Sequence, residues 1–358
     1  EPPRPGVRPP HGGHRANPTM RDHLRTRDAI EHDAQLDITV RVVDRAEGSQ
    51  SGRAAELTVA DVQGAQLDCT VWERWPGTAD WAVGHWYRLR RARGQVWDSG
   101  PELHVTPATA VKPLGPDIAA RRATVLAIPD VHVGKQQGGH GSRTWPVDTA
   151  AGLEAAVDVA VTREVDAVVQ LGDLVHNDKR GITAEDRAVV TGALDALAAA
   201  GIPFHYILGN HEREAGRALL AGHDGAHLLG ATPTMVGAAV ALYGLDHTDA
   251  VPDTLALAAA PEAAVRVLCL HQSVAPLSSK AAPDVDASAL LAGTDVRLDL
   301  LITGETHAHA TATVDGTHLV SAGATARLER GLEPSVELLQ VGYGTVVCER
   351  IMLGETPG

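Results

Sequence analysis

Ala167-Val168-Val169-Gln170-Leu171-Gly172-Asp173-Leu174-Val175-His176-Asn177 is the stretch that decides how the rest of the chain is read. An apolar run of strand length ends at a glycine, and a carboxylate, an imidazole and a carboxamide follow at once. The same succession recurs. Thr124 to Pro129 runs into Asp130-Val131-His132, Pro203 to Leu208 into Gly209-Asn210-His211-Glu212, Val265 to Leu270 into His271-Gln272, and Leu298 to Thr303 into Gly304-Glu305-Thr306-His307. In open α/β sheets ligands gather outside the carboxyl ends of the strands, so these polar groups are expected to converge. Converging carboxylates and imidazoles are the materials of a two-metal site.

Ala-rich helical patterns at Thr149 to Glu164, Ala184 to Ala200 and Glu212 to Leu220 lie between these runs. Strand and helix therefore alternate as in a layered α/β domain. Further strand-like runs at His318 to Ser321, Ser335 to Val341 and Thr345 to Ile351 are expected to finish a second sheet.

Upstream the pattern changes. Leu36 to Asp44, Ala54 to Asp61, Gln66 to Trp72, Trp86 to Val96 and Glu102 to Thr106 alternate with period two, and a short helical segment is expected at Asp80 to Val83. Five strands with a helix between the third and fourth is the layout of an OB-fold barrel, a frequent binder of single strands. Five of the six tryptophans (Trp72, Trp75, Trp81, Trp86, Trp97) fall here, beside Arg88, Arg90, Arg91 and Arg93. Bases stack on rings while arginines track phosphates, so Trp72, Trp97, Arg88, Arg90 and Arg93 are the candidate nucleic-acid contacts. A small barrel also needs aromatics for its own core, and Trp81 and Trp86 suit that role. The expected organisation is a disordered Pro-rich leader over 1–35, in which Met20 is a possible start, an OB barrel over 36–115, a linker marked by Pro113, Gly115 and Pro116, and an α/β domain over 116–358.

Net charge is −14, and residues 116 to 358 hold the excess with 30 acidic against 16 basic groups. Lysine is nearly absent, with Lys112, Lys135, Lys179 and Lys280 against 27 arginines. That composition resembles the proteins of salt-loving archaea, whose acidic surfaces keep them soluble. Cys69, Cys269 and Cys348 are too few and too far apart for a disulfide framework. No apolar stretch has the length of a membrane span, so a cytoplasmic protein with no membrane contact is expected.

Taken singly, an Asp-x-His after a strand is ordinarily a surface turn, a Gly-Asn pair a turn, and a lone histidine a hydrogen-bonded core residue. In order, Asp130-x-His132, Gly172-Asp173, Gly209-Asn210-His211-Glu212, His271 and Gly304-Glu305-x-His307 resemble the motif set of the calcineurin-like metallophosphoesterases. The resemblance implies a four-layer fold, two sheets flanked by helices, around two divalent ions, Mn²⁺ by the chemistry of the donors. It implies that Asp130, His132 and His307 hold one ion, Asp173 bridges both, and Asn210 and His271 hold the second. Glu305 stands where the family has the first histidine of G-H-x-H. A carboxylate is itself a competent Mn²⁺ ligand, and a slip of two residues would offer His307-Ala308-His309 instead, which Gly304 disfavours. His211 and His176 are the candidates for stabilising the phosphoryl oxygens or protonating the leaving group.

Gly172-Asp173-Leu174-Val175-His176 also resembles the G-D-L-F-H of SbcD-type repair nucleases, and lacks the Asp-Arg of protein phosphatases. A barrel placed before such a domain is similar to the phosphoesterase associated with replication protein A in halophilic archaea, and to the exonuclease subunit of the D-family polymerase. The resemblance implies a nuclease acting on DNA, single-stranded or at ends, in replication or repair, with replication protein A as a partner. The rival readings are a phosphomonoesterase or nucleotide phosphatase, and a non-catalytic accessory subunit.

Overall fold

The computed structural model describes residues 26–48, 52–72, 80–140, 143–176, 181–261 and 263–354; Trp75, Asn177 and the leader as far as residue 25 lie outside the described residues. Leu36, Ile38, Val40 and Val42 alternate along the strand Gln35–Glu47 and point into a barrel core, each 4% exposed or less. That strand pairs antiparallel with Arg53–Ala60, which pairs with Gln66–Trp72. Gln66–Trp72 runs parallel to Gly100–Val105, which pairs with Trp86–Trp97, and Trp86–Trp97 closes back onto Gln35–Glu47. All five expected strands are present, in the closed order of an OB barrel. Ahead of them Arg27–Ala29 form a 3-10 turn, and Ile30 packs into the barrel core.

Two local expectations are corrected. Asp80–Val83 is not helical: Trp81 takes a φ of +37° and drives its ring, 3% exposed, against Tyr87 at 4.8 Å. Pro113 and Gly115 do not form a free linker either. They lie in a sixth strand, Ala110–Gly115, on the outer side of Trp86–Trp97, an edge position where proline's missing N–H costs no ladder bond.

Beyond the barrel, two six-stranded sheets lie face to face. The first has the order Ala226–Leu228, Phe204–Ile207, Ala167–Leu171, Ala123–Ile128, Ser335–Gly342, Thr345–Met352. The second has the order Thr234–Val236, Val240–Leu245, Val265–Leu270, Leu300–Thr303, Thr317–Ser321, Ala310–Val314. Val125, Val169 and Ile207 of one sheet meet Leu242, Val267 and Ile302 of the other in an apolar central layer. The helices Thr149–Thr162, Ala184–Ala199 and Glu214–Ala221 cover the outer face of the first sheet, the first two started by Asp148 and Thr183 caps. Ala287–Ala292 and the loops around Leu255 cover the second. Among the described residues no helix is long and apolar enough to cross a membrane.

The last hairpin does not finish the second sheet as expected. Ser335–Gly342 returns to pair with Ala123–Ile128 in the first. It is apolar on both faces, Val336 and Leu338 toward the helices and Leu339 and Val341 toward the other sheet, which suits a strand with neighbours on both sides.

The barrel docks at the amino ends of these strands. Trp86 packs at a tilt against Tyr343 at 4.9 Å within a cluster with Ile118 and Ala264, the Tyr343 hydroxyl donates to the Val62 carbonyl, and Lys112 lies 3.5 Å from Asp299. Ala264 and Asp299 each come just before a parallel strand, Val265–Leu270 and Leu300–Thr303. Everything beyond the carboxyl ends of those strands is therefore a strand length away from the barrel, roughly 20 Å.

His205 supplies a test of this packing. It is 5% exposed, its Nδ1 has no hydrogen-bond partner among the described residues, and burial, then His227, push its pKa down to about 4. A histidine in an unfolded chain titrates near about 6.5. The folded pKa is the lower one, so this contribution to stability is complete above that pH and is lost as pH falls toward 4. Urea midpoints measured from pH 7 to pH 4 should fall less steeply in His205→Leu than in the parent; equal slopes would contradict the burial of a neutral imidazole.

Candidate metal centre

Three of the polar loops leave their strands through backbone that side chains rarely adopt. His132, Asp173 and Glu305 have φ of 56°, 58° and 71°. Each such residue costs on the order of 1–3 kcal/mol and persists only where its surroundings hold it. Here they do: the amides of Val131 and His132 donate to the Asp173 carbonyl at 3.1 and 2.8 Å, and the Glu305 amide donates to the Asp130 carboxylate at 3.1 Å. Close approach also requires Gly209 and Gly172, because a Cβ there would meet the Asp173 carboxylate or the His271 ring.

The sequence candidates converge. Asn210 Nδ2 lies 3.4 Å from Glu305 Oε2, which is 3.3 Å from His271 Nε2. His271 Nε2 is 3.4 Å from Asp173 Oδ2, and Asp173 Oδ2 is 3.5 Å from His132 Nε2. His132 Nε2 is 3.9 Å from Asp130 Oδ1, which is 3.7 Å from His307 Nε2. These separations are long for hydrogen bonds, but groups that each sit about 2.0–2.2 Å from a shared ion stand about 3–4 Å apart. His132 Nε2 and His271 Nε2 are buried and, among the described residues, have no hydrogen-bond partner, so a cation would satisfy both. Asp130, His132 and His307 offer ligand atoms within 4.8 Å of one another, as do Asp130, Asp173 and His271, and His132, His176 and His211. The donor set fits divalent ions. His309 turns away to Glu337 at 3.1 Å, so Glu305 and not His309 stands in the cluster.

Outer groups aim these side chains. His271 Nδ1 meets the Leu171 carbonyl at 2.7 Å and His307 Nδ1 meets Glu329 at 2.9 Å, which leaves both Nε2 atoms facing inward. No sequence signal marks a role for Glu212, which falls where a helical pattern begins. Instead it is 2% exposed and accepts from the amides of Asp173, Val175 and Gly209 at 2.7, 2.9 and 2.7 Å, tying two ligand loops together. Burial, then Asp173, push its carboxyl up to about 7, with the amide donors opposing. Lys280, also unmarked in the sequence, places Nζ 2.9 Å from Glu305 Oε1.

Burial holds the His132 imidazole well below its ordinary value, so it is neutral, as a ligand must be. Burial alone would raise the Asp173 carboxyl, but the close approach and charge of His271, with the charges of His132 and His211, hold it below the usual range. His271 is raised in return: burial alone would lower it, but Asp173 and Glu305 outweigh that. His211 lies at the mouth, its Nε2 3.9 Å from Asp173 Oδ2, and stacks on His176 at 5.0 Å. Burial lowers its pKa, so it is neutral near pH 7 and can carry a proton at Nε2.

The barrel candidates are dispersed. Trp97 is 52% exposed, with its Nε1 donating to Glu102, and Trp72 is half-buried beside His104 with Arg53 over its ring at 6.0 Å. Arg93 is paired with Asp33 at 2.6 Å. Arg88 is only 4% exposed and lies against the second domain near Asp299, so it is not part of an open face. Arg90 also turns toward that domain, beside Gly316. Arg88 and Arg90, two residues apart, share one side of their strand, and the docked domain covers that side at both positions.

Glu212→Gln replaces one acceptor oxygen by a donor that faces an amide. Calorimetric titration with Mn²⁺ should show an affinity about 10–100-fold weaker, the usual cost of losing a group that orients ligands; unchanged affinity would remove Glu212 from the centre.

The residues that build this geometry lie within the span that matches a known family. Residues 123–308 match the calcineurin-like phosphoesterase family. The chain is 36% identical over 211 residues to the DNA double-strand break repair protein Mre11 of Haloferax volcanii, covering 57% of this chain and 45% of that protein. It is 30% identical over 222 residues to Mre11 of Methanosarcina mazei, covering 58% and 34%. The match thus spans less than half the length of either relative. A dimetal phosphatase structure from Danio rerio is similar at a TM-score of 0.44 and 14% identity, over 65% of this chain and 99% of that one. With a match that begins on the strand leading into Asp130 and ends beside His307, the chain belongs to the calcineurin-like phosphoesterase family.

Proposed function

We propose that this chain is a Mn²⁺-dependent phosphodiesterase that cleaves DNA, single-stranded or at ends, in the cytoplasm. The observation that carries the reading is the meeting of Asp130, His132, Asp173, Asn210, His271, Glu305 and His307 in one continuous cluster with His211 at its mouth. DNA as substrate is supported by relatives named for double-strand break repair. In this reading Asp130, His132 and His307 hold one ion, Asn210, His271 and Glu305 the other, and Asp173 serves both. Bound divalent ions activate water and neutralise phosphate charge.

The chain's own groups do the rest. His211, neutral and tethered to Asp173, offers its Nε2 proton to a phosphoryl oxygen or to the departing alkoxide. His176, stacked on it and 3.3 Å from His132, limits its rotation. Lys280 balances the charge of Glu305. The barrel, docked at the far ends of the strands, does not hand a strand directly to the metals. Its exposed Trp97 and the Trp72 and Arg53 pair support a separate holding site for single-stranded DNA. The barrel's place before the phosphoesterase domain supports replication protein A as a partner.

Protein purified in high salt and assayed with Mn²⁺ on labelled single-stranded DNA and on p-nitrophenyl phosphate tests this. Cleavage of DNA abolished by EDTA is expected, with about two ions per chain. His211→Asn should lower turnover by about 10²- to 10⁴-fold while metal content holds. Monoester turnover with intact DNA would exclude the nuclease, and fewer than two ions with no turnover would favour an accessory binding module.

A further inference from the structure

Trp145 is the one tryptophan outside the barrel. It stands in the hairpin of Gln137–His140 and Arg143–Pro146, and its Nε1 donates to the Arg327 carbonyl at 2.8 Å. Gly138 and Gly139 let the ring lie flat on the hairpin, since a Cβ at either would collide with the indole. The ring is thus fixed before any ligand arrives. It forms one wall of a cavity of about 580 Å³ whose other walls include Arg143, Arg327 and Arg330. Among the described residues neither Arg143 nor Arg330 has an ion-pair partner. In a chain with a net charge of −14, Arg143 and Arg330 beside a fixed indole are a local reversal of sign.

Its position ties it to the metal centre. The segment that carries Arg327 and Arg330 begins at Ala324, bridged to Asp130, and the Thr325 amide donates to the Asp130 carbonyl at 3.2 Å. Between the two arginines, the Leu328 carbonyl accepts from the Gly139 amide, and Glu329 holds His307. Arg330 therefore follows directly, at about 3.8 Å from one Cα to the next, the residue that aims a candidate ligand.

We propose that this cavity is the subsite for a nucleotide flanking the scissile phosphate of a nucleic-acid strand, with the base against Trp145 and the backbone phosphate received by Arg143 and Arg330. The proposal rests on the nuclease reading. A planar aromatic face suits any base, and guanidinium pairs bind phosphate oxygens in a fixed fork, so the site holds a strand without reading its sequence. It also supplies beside the metals the grip that the barrel, a strand length away, does not.

The test uses the full chain, Arg143→Ala/Arg330→Ala and Trp145→Phe, with Mn²⁺-dependent turnover of bis(p-nitrophenyl) phosphate as the control for an intact centre. Affinity for a fluorescent single-stranded 10-mer is measured in EDTA over a salt series. The double variant should bind the 10-mer at least tenfold more weakly, with the slope of log affinity against log salt shallower by about 1.4, two contacts at about 0.7 each. Its turnover of the small diester should stay within twofold, and Trp145→Phe should keep most of the binding. Parent-like affinity and slope in the double variant, with the parent cleaving DNA, overturns this site alone. A parent that turns over the small diester but neither binds nor cleaves the 10-mer overturns the nuclease reading as well. Free dAMP bound as tightly as the 10-mer would make the cavity a mononucleotide pocket and overturn its assignment to a strand.

Discussion

Asp173 is the side chain on which the two halves of the centre depend. Its carboxylate faces His132 from one loop, His271 from the other sheet and His211 from a third segment. Its backbone is left-handed, and neither orientation nor backbone would persist without support. The support is a pair of polar clamps: the carbonyl accepts the amides of Val131 and His132, and the amide is held by the buried Glu212 carboxylate. Release either clamp, and the residue can relax to ordinary backbone, carrying its carboxylate away from the imidazoles.

The electrostatics follow from that placement. Three carboxylates and several imidazoles enclosed together would repel or share protons, and burial and charge pull them apart: His132 neutral, Asp173 ionised, His271 drawn toward the protonated form by its acidic neighbours. A cation that replaces the proton on His271 resolves the same imbalance, so the cluster is suited to exchange protons for metal. Glu305 fits this scheme through Lys280, which offsets the negative charge that a histidine in its place would not bring.

The domain arrangement separates roles. The candidate ligands gather at the carboxyl ends of the parallel strands, and the barrel is fastened at the amino ends by Trp86, Tyr343 and Ile118. The fastening is part apolar and part ionic, with Lys112 and Asp299 beside the buried Arg88. That explains why an arginine stripe suited to phosphates by its spacing is partly consumed in holding two domains together.

How much was legible in the chain depends on how far each signal reaches. Strand, glycine and polar residue stand next to one another in Leu171-Gly172-Asp173 and in Thr303-Gly304-Glu305, and the period-two runs of the barrel are equally local, so the sequence by itself determined both architectures and the ligand candidates. Side chains whose partners lie far along the chain carry no such mark. Glu212 meets amides 37 and 39 residues back, His309 is claimed by Glu337, and Trp145 is pinned by a carbonyl 182 residues away. Whether Ser335–Gly342 joins the first sheet or the second, and which face of the barrel is covered, also had to wait for the tertiary structure. A hydrophobic period fixes which side of a strand is buried, but only packing chooses the surface that buries it.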